Sequence, residues 1–226
     1  LEDRAEKKWL WKGRHVYMFD GTTTLLPDTA ENRTAYPPTC RQMVNVGLPL
    51  ARVAAVFSLS SGVVLDLATA KYAGKGQGEV TLLRTLSSMF SKGDVLLADC
   101  LMSNWRNLFA MKQRGVDVVT RLNKALRKTD FSKGKLLGKD DHVVAWPKPW
   151  IRGIDLETQK SMPKHLVVRE CTLDRVSRRL RNLWPVRAPK DRRPKRQGTK
   201  RTRDQKDWDT VSFAFSAGFA QPVKFA

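Results

Sequence analysis

The sequence predicts an α/β protein with a mixed sheet flanked by helices, a β-rich insertion and a disordered basic C-terminal tail. Three observations predict this fold. Between residues 15 and 122, apolar and β-branched runs typical of strands alternate with segments of helical period. Two of these runs flank a short Ser-Gly turn at 61–62 and form a predicted hairpin. Beyond Asp174 a stretch rich in Arg, Lys and Pro cannot bury enough apolar area to offset chain entropy.

The predicted core elements are a strand, a two-stranded hairpin, a helix, a strand, a helix and a strand. Apolar residues three or four positions apart indicate the first helix, and Gly115 closes the second. Strands separated by helices pair in parallel, whereas a hairpin is antiparallel, so the sheet is mixed. The elements are HVYMFD (15–20), ARVAAVFSLS (51–60), VVLDLATA (63–70), EVTLLRTLSSMF (79–90), DVLLAD (94–99), NWRNLFAMKQRG (104–115) and VDVVTRL (116–122), with a proline-rich loop over 27–50.

The chain divides into four predicted segments. The first has no initiator Met and no apolar signal core, so we interpret it as the N-terminal remnant of a longer protein. The second is the core described above. The third is the β-rich insertion, with strand-like runs at 142–146 and 165–171. The fourth is the basic tail, in which an apolar patch at 211–220 either docks or stays loose. The segments are residues 1–14, 15–122, 123–173 and 174–226.

The positive charge of the chain is concentrated near its C-terminus. The formal net charge is +20 and the isoelectric point is about 10.3. Residues 175–203 contain thirteen Lys or Arg and one acid, Asp191, which gives this stretch a net charge of +12. A basic excess of this size indicates a polyanionic partner, most often nucleic acid. A solvated tail without a partner is the alternative.

Cysteine usage indicates a reducing compartment, and hydropathy gives no sign of a membrane span. Cys40, Cys100 and Cys171 are isolated from one another, which argues against a disulfide framework and against a zinc knuckle. The sequence contains no run of eighteen apolar residues, so we expect no transmembrane helix and no membrane partner. We therefore expect a cytoplasmic protein.

Two predicted strands end on an aspartate. Asp20 closes HVYMFD and Asp99 closes DVLLAD. Ligands gather at the carboxyl ends of strands in an open α/β sheet, and two close carboxylates repel unless a cation lies between them. Mg²⁺ is commonly held by one or two carboxylates together with substrate phosphate. The pair therefore predicts a divalent metal site, and the alternative is that each aspartate forms a local Asx-turn.

Three stretches of the sequence resemble the DDE transposases of the insertion-sequence-four group. They are DGTTTLLPDT (20–29), PLARVAAVFSLSSGVVLDLATAKYAGKGQGEVTLLRTL (49–86) and KGDVLLADCLMSNW (92–105), and LGKDDHVVAWPKP (137–149) is similar to the β-rich insertion of that group. The resemblance covers about residues 15–172. It implies a ribonuclease-H-like core in which two Asp and one Glu hold two Mg²⁺ or Mn²⁺ ions. Asp20 matches the first catalytic and metal-binding Asp, and Asp99 matches the second.

The resemblance also implies an activity, partners and a location. The activity is metal-dependent cleavage of DNA at transposon ends, followed by transfer of the 3′-OH strand into target DNA. The partners are transposon-end DNA, target DNA and a second copy of the chain in a synaptic homodimer. The location is the bacterial cytosol, in association with the nucleoid.

The sequence departs from this group at the third carboxylate. The family places its Glu on a helix after the insertion, within a Tyr-Arg-Glu-Lys pattern. After Asp99 this chain has only Glu157 and Glu170, and neither lies in such a pattern. No tyrosine follows Tyr72. We interpret the chain as a truncated, inactive or partial transposase with two of its three metal carboxylates.

Five further residues are candidate DNA contacts. The resemblance implies that a tryptophan in the insertion stacks on a flipped base, and Trp146 is the candidate, with a place in the core as the alternative. The others are basic residues at and after the end of the last core strand, where they either meet phosphate or form a solvated face. They are Arg121, Lys124, Arg127 and Lys128.

Two other functions stay open. A non-enzymatic basic nucleic-acid-binding protein would bind through the basic tail. Such a protein would not require carboxylates at two strand ends. A metal nuclease of the same fold would use a different third ligand.

Overall fold

A computed structural model describes residues 6–38, 47–123, 125–174 and 210–216. The strands are β1 (Val16–Leu25), β2 (Leu50–Ser58), β3 (Val64–Lys71), β4 (Val95–Ala98), β5 (Asp117–Arg121), β6 (Lys135–Gly138), β7 (Asp141–Pro147), β8 (His165–Asp174) and β9 (Thr210–Ser216). The α-helices are α1 (Ala30–Ala35), α2 (Glu79–Leu86), α3 (Trp105–Gln113) and α4 (Leu156–Ser161). No helix in the described ranges is long and apolar enough to cross a membrane.

The nine strands of the described residues belong to one mixed sheet in the order β3-β2-β1-β4-β5-β9-β8-β7-β6. The hairpin β2–β3 and the pair β1–β2 are antiparallel, whereas β4 is parallel to both β1 and β5. The remaining pairs, from β5 to β6, are antiparallel. The α/β class and the mixed sheet predicted from the sequence are confirmed.

Strand β1 is longer than the sequence prediction. It continues through the Gly-Thr-Thr-Thr segment to Leu25, because β2 pairs with it over its whole length, from Tyr17↔Ser58 to Leu25↔Leu50. Threonine is β-branched and suits a strand. The prediction that the strand ends at Asp20 is therefore wrong. What ends there is the pairing with β4, whose last partners are Phe19 and Ala98.

The main core lies between one face of the sheet and helices α2 and α3. Tyr17 and Phe19 are two residues apart in β1, so they point to the same face, and both are buried in this core. The helices contribute buried side chains three or four positions apart, which is the spacing of one helical face. These side chains are Leu82, Leu83 and Leu86 from α2 and Trp105, Leu108 and Met111 from α3.

The opposite face of the sheet carries a smaller cluster. Val95 and Cys171 are buried there, with Trp11, Val16, Leu97 and Val119 packed against them. Farther along β1, Met18 is 39% exposed. This is the face toward which residue 20 points, since side chains alternate along the strand.

The predicted β-rich insertion forms strands β6, β7 and β8, together with helix α4, which the sequence analysis did not predict. These strands continue the core sheet rather than forming a separate one, because β9 pairs with β5 on one side and with β8 on the other. Residues 210–216 of the predicted disordered tail are therefore a strand. Residues 175–209 and 217–226 lie outside the described part of the chain.

Candidate functional site

Asp20 and Asp99 lie side by side where the parallel pairing of β1 and β4 ends. Each is the residue that follows the last pair, Phe19 and Ala98. Adjacent strands are about 4.8 Å apart, so the two backbones are close here. Asp99 keeps an extended backbone, with φ −72° and ψ 177°. Because side chains alternate along an extended chain, both aspartate side chains project from the face of the sheet opposite to that of Phe19. The adjacency of the two strands predicted from the sequence is confirmed.

Each carboxylate also has a local structural role. Asp99 caps the 3-10 turn Cys100–Met102, and its Oδ1 accepts a hydrogen bond from the Leu101 N–H at 2.9 Å. Asp20 Oδ1 accepts one from the Gly21 N–H at 2.9 Å. The hydrogen bond at Asp99 spans two residues, as in the Asx-turn of the alternative interpretation, whereas the one at Asp20 joins adjacent residues. They do not exclude a ligand role, because a carboxylate has two oxygens and about four acceptor positions.

The environment of the pair is open and partly basic. Asp20 is exposed and Asp99 is half-buried. Arg121 is exposed and follows Thr120, the partner of Ala98 across β4 and β5. Arg121 therefore occupies the position on β5 that corresponds to Asp20 on β1 and to Asp99 at the end of β4, and it lies on the same face of the sheet. Two carboxylates with a neighbouring guanidinium can hold a hard divalent cation and a phosphate oxygen.

A third carboxylate for this site is not found among the described residues. No group of three or more His, Cys, Asp or Glu side chains in the described ranges could hold a metal ion. Glu157 is exposed in the first turn of α4. The residues present therefore fit one shared divalent cation, but they do not fit the complete two-metal centre that the resemblance implies.

Glu170 lies too far away to complete the site. β5 and β9 separate its strand, β8, from β4, which amounts to about 14 Å at the usual strand spacing. Its partner Ala214 pairs with Thr120, and Thr120 with Ala98, so Glu170 points to the same face as Ala98 and away from that of Asp99. Glu170, one of the two glutamates that follow Asp99 in the sequence, is therefore not placed to be the third ligand.

Glu170 instead anchors a buried polar network in the insertion. The side chain of Trp146 donates its indole N–H to Glu170 Oε1 at 2.6 Å. His142 Nε2 lies 3.2 Å from Glu170 Oε2, and its Nδ1 lies 2.6 Å from the carbonyl oxygen of Lys133. Glu170 and Trp146 are each only 2% exposed. The network ties β7 and β8 to the loop before β6.

The candidate DNA contacts fall into different environments. Trp146 is a core residue here, with Arg127 stacked over its ring at 4.3 Å, so base stacking would require Arg127 to move. This placement agrees with the alternative considered in the sequence analysis, in which Trp146 belongs to the core. Arg121 and Lys128 are exposed and available to phosphate. Lys124 lies outside the described residues.

Sequence reasoning missed a cluster on the helix-covered side of β1. Glu79, the first residue of α2, packs its side chain directly over Gly21. Its Oε1 accepts a hydrogen bond from Arg52 Nη1 at 2.8 Å. The Gly that follows Asp20 in the sequence was the available signal, because glycine in a strand often marks a close approach by another group.

Comparisons with known proteins supply no family for the chain. No family model matches it, and no curated protein sequence matches it.

Proposed function

We propose that this chain is a DDE-type DNA transposase of the insertion-sequence-four group that carries two of the three metal carboxylates. One observation carries the proposal. Asp20 and Asp99, which match the first two catalytic residues of that group, are far apart in the sequence but follow the last pair of two neighbouring parallel strands. A structural Asx-turn at either position has no requirement for the other aspartate.

The architecture supports the same proposal. The antiparallel strands β1, β2 and β3 adjoin the parallel strands β4 and β5, and helices α2 and α3 cover one face. This mixed sheet is compatible with the ribonuclease-H-like core that the resemblance implies. The insertion strands follow β5 in the chain, where the resemblance expects them.

The mechanism that we propose assigns each residue a physical task. Asp20 and Asp99 supply carboxylate oxygens for Mg²⁺ or Mn²⁺, which when bound would polarise a phosphodiester and make a bound water more acidic. Arg121 contacts a phosphate oxygen on the same side of the sheet. Asn104 caps α3 through its side chain, which fixes the segment that follows Asp99.

The missing third carboxylate limits this activity. With only two carboxylates, a cation is held less firmly and the scissile phosphate is placed less accurately. A misplacement of about 1 Å can lower a rate about a hundredfold. We therefore expect slow hydrolytic nicking at most, with no strand transfer, as for an inactive or partial copy.

Nicking of supercoiled plasmid DNA in Mn²⁺ tests the proposal. We expect slow conversion to the open circle, lost in Asp99→Asn, which keeps the capping hydrogen bond because Asn caps helices as well as Asp. Equal nicking by the wild-type and Asp99→Asn chains would contradict the proposal. Efficient strand transfer that depends on Asp99 would show that residues outside the described ranges supply the third carboxylate.

A non-enzymatic nucleic-acid-binding function is the second candidate. The observations that favour it are the net charge of +12 over residues 175–203 and the local hydrogen bonds of both aspartates. Under this alternative, Asp20→Asn and Asp99→Asn would change neither divalent-cation binding nor DNA binding.

A further inference from the structure

The strand residue after Asp20 is in unusually close contact with a helix. A Cβ atom built on Gly21 would lie 2.6 Å from Cγ and 2.8 Å from Cδ of Glu79, distances that real Cβ atoms essentially never show. Gly21 lies within the extended chain of β1. A side chain at residue 21 would therefore require the Glu79 side chain to move, because Glu79 occupies that space.

The Glu79 side chain is itself held in place. Arg52 is paired with Thr23 in the β1–β2 ladder, and its Nη1 donates to Glu79 Oε1 at 2.8 Å. The guanidinium also stacks on the ring of Tyr72, 5.5 Å from its centroid. The Arg52 and Glu79 side chains are each 20% exposed. A largely shielded ion pair of this kind has one defined geometry, which long surface side chains lack.

Gly21 links this cluster to the candidate metal ligand. The Gly21 N–H donates to Asp20 Oδ1 at 2.9 Å. The contacts therefore run from Arg52 to Glu79, from Glu79 to the Gly21 backbone, and from Gly21 to the Asp20 carboxylate.

We propose that Glu79 is a positioning residue that fixes the Asp20 carboxylate through Gly21. The inference rests on the proposed function, in which Asp20 binds a divalent cation. Glu79 does not bind the cation itself, because it packs on the helix-covered face of β1 while Asp20 points to the other face. Groups that orient a metal ligand typically change metal affinity about 10- to 100-fold when they are removed.

The first measurement needs no metal. Amide hydrogen exchange at Gly21 is followed by NMR in the wild-type chain and in Glu79→Ala. Glu157→Ala is the matched control, since Glu157 is also an acidic residue in the first turn of a helix. We expect at least about tenfold faster exchange at Gly21 in Glu79→Ala, and no change in Glu157→Ala. Unchanged Gly21 exchange in Glu79→Ala would overturn the inference.

The second measurement is Mn²⁺ affinity, determined by electron paramagnetic resonance of free Mn²⁺. We expect the dissociation constant to rise about tenfold in Glu79→Ala and in Gly21→Ala, with Glu79→Gln close to wild type because it keeps the shape and the acceptor for Arg52. The double variant Gly21→Ala/Glu79→Ala should bind no more weakly than Glu79→Ala, since the new methyl group occupies the vacated space.

The outcomes separate the two proposals. Wild-type Mn²⁺ binding that is lost in Asp20→Asn but unchanged in both Glu79→Ala and Gly21→Ala would overturn the role of Glu79 and leave the metal site standing. Wild-type binding that is unaffected by Asp20→Asn would overturn the metal site, and with it the inference. Should Gly21→Ala not fold, Glu79→Ala and Glu79→Gln decide the question alone.

Discussion

At the scale of single residues, Glu170 shows how hydrogen-bonding partners stabilise a buried carboxylate. Trp146 and His142 occupy its two oxygens. Glu170→Ala would leave the buried Trp146 N–H without its acceptor and His142 Nε2 without its partner, and we expect a loss of about 2–4 kcal/mol in the free energy of unfolding. Urea unfolding measures this loss. Unchanged Mn²⁺ affinity in Glu170→Gln is expected as well, and a large change would contradict the separation of Glu170 from the aspartate pair.

The Cys171 thiol should be unreactive. Burial, and secondarily the nearby Asp141 carboxylate, raises the pKa of Cys171 to about 11, although Arg169 opposes the shift. Alkylation requires the thiolate, so at pH 8 only about one thiol in a thousand is reactive. We expect iodoacetamide to modify the half-buried Cys100 first in a Cys40→Ser background, as mapped by mass spectrometry. Equal rates at both sites would contradict the buried position of Cys171.

The Asp130 carboxyl should titrate in unusually acidic solution. Hydrogen bonds from the Ser132 side chain and from Lys133 lower the pKa of Asp130 to about 2, from an ordinary value of 3.8. Because the pKa of Asp130 is lower in the folded state than in the unfolded state, its ionised carboxylate stabilises the fold above about pH 4. This stabilisation is lost as the pH falls towards 2. Carbon-13 NMR titration measures the midpoint. In Ser132→Ala the midpoint should rise towards 3.8, and an unchanged midpoint would contradict the assigned cause.

At the scale of elements, the turn before β6 depends on one glycine. Gly134 has a φ of +81°, and a Cβ atom there would overlap the carbonyl oxygen of Val143. Gly153 has a similar φ of +77° with nothing within 4 Å of a built Cβ atom. Gly153→Ala should therefore cost about 1 kcal/mol of backbone strain. Gly134→Ala should cost about 3 kcal/mol, because overpacking adds to the strain. Equal losses in the free energy of unfolding for the two variants, measured by urea unfolding, would contradict the close approach of Val143 to Gly134.

The elements differ in how far local sequence predicts them. Hairpin strands β2 and β3, helices α2 and α3 and strand β4 follow from periodicity and turn residues, because each forms its pattern within one short window. Helix α1 was missed inside the proline-rich loop, although Thr29 caps it. A six-residue helix leaves little periodicity to detect.

The extent of β1 and the position of β9 could not be predicted locally. β1 continues to Leu25 because β2 is there to pair with it, and that partner lies 25 or more residues later in the sequence. β9 occupies a position between β5 and β8 that only the assembled sheet defines. The same reasoning explains the site. The two aspartates were visible in the sequence as predicted strand ends, whereas Gly21 hints at a close approach without identifying Glu79, because that packing is a tertiary contact.

At the scale of the whole molecule, the charge distribution predicts salt-sensitive DNA binding without sequence preference. Residues 175–203 carry a net charge of +12. If about six of these charges meet phosphates, the logarithm of the association constant should fall with a slope of about −5 against the logarithm of salt concentration. Fluorescence anisotropy with a labelled duplex measures the slope. Deletion of residues 175–203 should make this slope less steep. An unchanged slope would refute the prediction that these residues contact the DNA phosphates.

Mn²⁺ titration followed by electron paramagnetic resonance tests the proposal that Asp20 and Asp99 share one divalent cation. The variants Asp20→Asn and Asp99→Asn keep an oxygen acceptor for the Gly21 and Leu101 N–H groups but remove the negative charge. The control is Asp66→Asn, whose carboxylate is exposed in β3 and accepts the same kind of hydrogen bond from the Leu67 N–H. We expect one Mn²⁺ per chain, with affinity lowered at least about tenfold by either site variant and unchanged in Asp66→Asn. Equal affinity in the wild type and all three variants would contradict the claim and leave both aspartates with a structural role alone.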